Sequence, residues 1–180
     1  MVTNQSIFLL INSYAGQNSF LDMLAILLGE YMPFLFIAVE VYLYYILKKK
    51  DEALYAFYSV LLGLCINQVI GIFYFHNRPF MDGIGKVISY HLEDNSFPSD
   101  HTTFMLSIAF SLFFSKNDKK LGLVLIVIGI IGASFRVFIG VHYPLDIIGG
   151  IVVGVVSAIL IYKVQHKVLP LNRYIIKLFK

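Results

Sequence analysis

Three short polar clusters interrupt an otherwise apolar chain of 180 residues. The first is His76-Asn77-Arg78-Pro79-Phe80, and the second is Phe97-Pro98-Ser99-Asp100-His101-Thr102-Thr103. The third is Ser134-Phe135-Arg136, then five residues to His142 and three more to Asp146. A carboxylate four residues after a histidine can accept the proton of one ring nitrogen. The tautomer is then fixed, and the other nitrogen keeps a lone pair free to attack an electrophile. Pro98 suits the start of a helix, which places Ser99 and His101 in an N-terminal turn whose free amides and hydroxyl can hold an anion. Arg78 and Arg136 offer planar forks matched to phosphate oxygens. Two histidines, two arginines, a serine and an aspartate thus suffice for phosphoryl transfer without a metal. Taken singly, each cluster has a plainer reading, such as a headgroup anchor or a structural hydrogen bond. The chemical reading rests on all three lying together.

The elements that would bring them together are membrane helices. The chain is 58% hydrophobic and 14% charged, with mean hydropathy +0.78, which excludes an ordinary soluble domain. The expected fold is all-α, a polytopic helix bundle forming a single domain over residues 1–180. About five spans of roughly 20 residues each would cross a hydrocarbon layer about 30 Å thick. They are expected at residues 20–47, 53–75, 98–115, 121–140 and 143–163, with a bend at Pro33 in the long first one. Ile7–Tyr14 reads as a short interfacial helix, and nothing at the start resembles a cleavable signal peptide. Cys65 stands alone, so an internal disulfide is excluded. Of 14 Lys and Arg residues, all but Arg78, Lys86 and Arg136 follow the first, third and fifth spans. That side is therefore expected to be cytoplasmic, with the N-terminus outside and the C-terminus inside. The tail, residues 164–180, alternates apolar and basic residues and suits an amphipathic segment on anionic lipid. A net charge of +3 disposed this way calls for no nucleic-acid partner.

With this topology all three polar clusters reach the same outer face, a convergence that itself raises the case for a site. Metal binding is the rival, because His76, His91, His101 and His142 all fall on that side. Yet no histidine pair has the i, i+4 spacing of a helical zinc site, and the arginines would repel a cation. No metal or cofactor is therefore expected. Glu30, in the outer half of the first span, could orient an arginine, while Glu40 is expected to have a structural partner. Asp146, Gly150, Gly154 and Ala158 form a small-residue stripe, as do Thr103, Ser107, Ser111 and Ser115. These stripes would let the helices bearing His101 and Asp146 approach closely. The loop from Met81 to Ser96 either rims the site or merely connects.

The clusters resemble the signature of the type 2 phosphatidic acid phosphatase superfamily. Its first part, lysine, six residues and Arg-Pro, matches at Arg78-Pro79, with Gly71 where the lysine would stand. Its second, Pro-Ser-Gly-His, reads Pro98-Ser99-Asp100-His101. Its third matches at Arg136, His142 and Asp146, with Phe135 in place of serine. Phe75-x-x-Arg78-Pro79-Phe80 and Gly140-x-His142-Tyr143-Pro144-x-Asp146 narrow the resemblance to bacterial undecaprenyl-diphosphatases of the bacitracin-resistance type. The resemblance implies hydrolysis of undecaprenyl diphosphate to the monophosphate in a bacterial plasma membrane. His142 would be the nucleophile oriented by Asp146, His101 the acid and base, and Arg78, Ser99 and Arg136 the phosphate holders. Lys86 or the side chains of His76 and Asn77 would substitute for the missing lysine. Asp100 is expected to pair with Arg78 or Arg136. The partners implied are a polyprenyl diphosphate and the bilayer, and a homodimer is compatible with the sequence without being argued by it. Another lipid phosphate, or a transport or lipid-binding role, remains the alternative.

Overall fold

A computed structural model describes residues 3–178, and within them every regular element is helical. The order is α1 (Asn4–Asn12), α2 (Ser19–Glu30), α3 (Met32–Val41, extended by a π-helical turn at Tyr42–Ile46), α4 (Lys50–Phe73), α5 (Asp100–Phe114), α6 (Lys119–Phe138) and α7 (Pro144–Leu178). Local chemistry explains the ends. Thr3 and Ser6 form a reciprocal cap on α1, and the Asn18 side chain accepts the amides of Phe20 and Leu21 to start α2. Pro144 opens α7, where its missing N–H costs nothing.

The first apolar stretch is bent by 43° between α2 and α3, with Tyr31 at the break. Pro33 lies in the first turn of α3, where the ring fits the new helix and cannot continue the old one. Three helices, α4, α6 and α7, are long and apolar enough to cross a membrane, and the α2–α3 pair is a fourth when counted as one span. The fifth expected span, α5, has 15 residues. At about 1.5 Å per residue it reaches only about 22 Å. It can be short because α4, α6 and α7 pack around it, so much of its length meets protein instead of lipid. The tail also departs from expectation. Instead of a separate amphipathic segment, α7 runs unbroken for 35 residues, through Pro170, to Leu178. Buried Asn172 anchors this extension, donating to Asp51 in the first turn of α4 and accepting from the Tyr58 hydroxyl further along it. The last two residues of the tail lie outside the described range. Cys65 is exposed on the bundle's outer face, and Glu40, expected to pair, leaves Oε1 buried without a hydrogen-bond partner.

The small-residue stripes meet in the α5–α7 seam. A Cβ at Gly150 would lie 2.7 Å from Thr102 Cβ and 2.8 Å from the Ser99 carbonyl oxygen. One at Gly154 would lie 3.0 Å from Leu106 Cβ. Ser107 and Ser157 exchange a hydrogen bond of 3.0 Å across the same seam. The α5 stripe serves this contact only in its upper half, since Ser111 and Ser115 line a cavity at the far end with Asp51 and Lys116. Gly150→Ala should therefore push α5 and α7 apart at the level of the polar clusters. Overpacking of this kind typically destabilises by about 1–3 kcal/mol. Thermal unfolding in detergent should register a lower Tm, and an unchanged Tm would mean that the seam can relax.

Candidate functional site

The C-terminal ends of α4 and α6 and the N-terminal ends of α5 and α7 lie at one end of the bundle, and the segment between α4 and α5 folds across them. The Ser96 amide donates to the His76 carbonyl, and the Ser99 amide donates to the Asp146 carbonyl at 3.1 Å. These bonds bring all three polar clusters into one place. His142 (1% exposed), Asp146 (0%) and Arg136 (0%) are buried there, together with Ser96 and Ser99.

His142 has a determined polarity. Its Nε2 lies 3.1 Å from Arg78 Nη1, and a guanidinium can only donate, so Nε2 is the acceptor and carries a lone pair. The proton must then be on Nδ1, which faces Ser96 Oγ at 3.2 Å and Asp146 Oδ2 at 3.5 Å. Ser96 donates to Asp146 Oδ2 at 2.6 Å. Asp146 is held further by the Tyr143 amide on Oδ2 at 2.8 Å and by His76 Nδ1, 3.2 Å from Oδ1. Burial above all, and then the charges of Arg136 and Arg78, keep the His142 imidazole well below its ordinary pKa. It is a neutral base with its free lone pair aimed at a cation.

The arginines are clamped by protein groups. Arg136 Nη1 donates to the Gly29 carbonyl and to Glu30 Oε2, both at 2.9 Å, and Nη2 donates to His91 Nε2 at 2.7 Å. Glu30 thus orients an arginine, as its position suggested. Arg78 Nε donates to Asp94 Oδ1 at 2.7 Å, and its Nη1 also donates to the Val141 carbonyl at 2.9 Å. His101 is half-buried, with Nε2 3.9 Å from Glu30 Oε2. The His91 ring sits between the other two histidines, its centroid 6.5 Å from His101 and 6.4 Å from His142. Burial, then Arg78 and Arg136, hold His91 below its ordinary pKa.

Several expected contributors lie elsewhere. Asp100 pairs with neither arginine: its Oδ1 accepts from Asn67 Nδ2 at 2.7 Å, because the first turn of α5 points it toward α4. Asp94 and Glu30 take the arginines instead. Lys86 is exposed, and its Nζ donates to the Ala15 carbonyl at 3.5 Å. Asn77 turns away to donate to Asp82. Ser99 is at the site, but its amide is spent on Asp146 and its hydroxyl accepts from Thr102. At Gly71 a Cβ would lie 3.0 Å from Asn95 Nδ2, so that carboxamide fills the place of a lysine stem. A polar cavity of about 290 Å³ adjoins it, bordered by Asn67, Gln68, Asp94 and Asp100.

Ser96, His91 and Asp94 are the contributors that motif reading did not single out for a role. All three come from the loop read only as a possible rim. Its density of His, Asp and Ser was the one available signal.

The sequence profile of the PAP2 superfamily matches residues 52–170. The undecaprenyl-diphosphatase BcrC of Bacillus subtilis (strain 168) is 30% identical over 179 residues, covering 98% of this chain and 92% of that protein. A protein of Bacillus licheniformis named bacitracin transport permease protein BcrC is 31% identical over 164 residues, covering 88% of this chain and 79% of its own. The crystal structure of Aquifex aeolicus LpxE has the same fold, with a TM-score of 0.75 at 21% identity, covering 91% of this chain and 96% of that one.

Proposed function

The chain belongs to the PAP2 superfamily, and from that premise we propose that it hydrolyses undecaprenyl diphosphate to undecaprenyl phosphate and inorganic phosphate. One observation carries the reading: a buried, neutral His142 whose Nε2 lone pair faces the Arg78 guanidinium. The terminal phosphate enters that space, and its oxygens take over donors of Arg78 and Arg136 that Asp94 and His91 occupy without substrate. The first-turn amides of α5, which have no partners within the helix, add to the anion site. His142 Nε2 then bonds to phosphorus as the bond to the lipid-phosphate oxygen breaks. His101 gives that oxygen its proton. In the second half, His101 takes a proton from water, the hydroxide oxygen bonds to phosphorus, and the N–P bond breaks to release phosphate.

The bias of lysines toward the opposite end supports a plasma-membrane protein whose site faces outside. Consumption of the diphosphate there would recycle the cell-wall lipid carrier and confer resistance to bacitracin. The relative named for transport favours a second reading, a permease subunit, but transport does not require an oriented imidazole beside two arginines.

Purified protein should release phosphate from undecaprenyl diphosphate faster than from phosphatidylglycerol phosphate or phosphatidic acid, and with or without a chelator. Equal rates on all three lipids would refute the substrate assignment, and loss with chelator would install a metal in the site.

The pH profile is a separate check. With burial and two arginines disfavouring the imidazolium, the acid limb of kcat/KM should fall below the ordinary histidine value of 6.5. Arg78→Gln removes one positive charge, makes protonation of His142 easier, and should move that limb upward. A limb that stays put would separate Arg78 from the electrostatics of His142.

A further inference from the structure

We propose that Ser96 is a positioning residue for His142, relaying the hydrogen bond of the Nδ1 proton to Asp146. This rests on the reading of His142 as the nucleophile. The direct partner expected from the His-x-x-x-Asp spacing is Asp146, yet its Oδ2 stands 3.5 Å from Nδ1, beyond a normal hydrogen bond. The fully buried Ser96 hydroxyl fills the gap, 3.2 Å from Nδ1 and 2.6 Å from Oδ2. Proton bookkeeping leaves one arrangement. The carboxylate can only accept, so the serine proton points to Asp146. Nε2 accepts from Arg78, so Nδ1 is protonated and donates to the serine oxygen. The chain runs His142 Nδ1–H to Ser96 O–H to Asp146.

Asp146 is not free to close the gap itself. The Tyr143 amide and His76 hold its two oxygens, and its own backbone carbonyl is tied to Ser99. Ser96 in turn is fixed by its amide, which donates to the His76 carbonyl at 2.8 Å. When Nε2 bonds to phosphorus the ring becomes cationic and the Nδ1 proton stays in place. The serine oxygen, polarised by the carboxylate behind it, then faces a stronger donor than in the free enzyme. Loss of this relay should therefore slow phosphoryl transfer more than it weakens substrate binding. It should also shift the titration of His142, whose other charged or titratable neighbours are Arg78 and His91 from the α4–α5 segment, His101 of α5, Arg136 of α6 and Asp146 of α7.

The test compares Ser96→Ala, Ser96→Thr, Asp146→Asn and the Ser96→Ala/Asp146→Asn pair, with His142→Ala as control, on undecaprenyl diphosphate. Ser96→Ala should lower kcat by about 10- to 100-fold, the weight of one hydrogen bond to a charged group, and leave KM nearly unchanged. Its acid limb should move to lower pH, because the imidazolium loses an acceptor. Ser96→Thr should restore most of the turnover. In the double variant the two losses should fall short of multiplying, since both break one relay. Wild-type kcat in Ser96→Ala, a loss confined to KM, an unmoved acid limb, or fully multiplicative losses would each overturn the proposal. If Ser96→Ala does not accumulate folded, Ser96→Cys, a weak donor of similar size, replaces it and should show the same loss in kcat; wild-type turnover there would overturn the relay. An active His142→Ala would instead bring down the nucleophile reading, whereas an inactive one beside a fully active Ser96→Ala defeats the relay alone.

Discussion

Replacing His142 with alanine should reduce phosphate release by roughly 10⁴-fold or more, the scale of losing a residue that bonds covalently to the reacting atom. The expectation is sharp because no second group stands ready for the task. Of the histidines there, His142 alone turns Nε2 to the Arg78 guanidinium, and His76 Nδ1 is engaged by Asp146. Loss of this buried ring leaves a cavity and should lower Tm, so activity should be compared well below the variant's own transition. Radiolabelled terminal phosphate should no longer be trapped on the denatured variant, whereas the parent should retain it in an acid-labile form. A variant that kept most of its phosphate release would move the nucleophile elsewhere.

Arg136→Ala is expected to have the second-largest effect, and on two quantities at once. The side chain is fully buried and binds Gly29 and Glu30 of α2 together with His91 of the loop. Its removal leaves the Glu30 carboxylate partly buried without its cation, a break that typically costs about 3–5 kcal/mol. A clear fall in Tm should therefore accompany a rise in KM of about 100-fold, as one phosphate fork is lost. Arg136→Lys should recover little of either, because a single ammonium cannot span α2 and the loop in the way a planar fork does. His101→Ala supplies the contrast. A positioned acid contributes about 10²–10⁴-fold to turnover, and that loss should appear in kcat while phosphate affinity exceeds that of Arg136→Ala. The reverse pattern would exchange the two roles.

Much of this site could be read from residue types. Arg78, His101, Arg136, His142 and Asp146 are recognisable by spacing, and the apolar stretches between them require that they meet at one end of a bundle. The bend near Pro33 and the seam of Gly150 and Gly154 follow from local rules, a missing amide and a missing side chain. The pairing of Glu30 with an arginine followed from the cost of leaving a carboxylate alone in an apolar span.

Other features had no local signature. Asp100 is adjacent to His101 in sequence, but successive residues on a helix point about 100° apart, so it faces Asn67 of α4 and not the arginines. Lys86 has the right charge, but the loop path ties its ammonium to Ala15. The continuation of α7 through Pro170 is sustained by Asn172 reaching across to Asp51, 121 positions away.

By itself the sequence determined an apolar helical bundle, three polar clusters at one end, and a His-x-x-x-Asp pair capable of presenting an imidazole lone pair. Those properties depend on composition and on short periodic spacing, which local backbone geometry converts directly into faces and ends. Only the tertiary structure decided which groups clamp the arginines, what fills the space at Gly71, and that Ser96 stands between His142 and Asp146. Those depend on the path of the irregular segment from Tyr74 to Ser99, whose course is set by long-range hydrogen bonds to α1, the α6–α7 connection and α7 and leaves no period in the sequence.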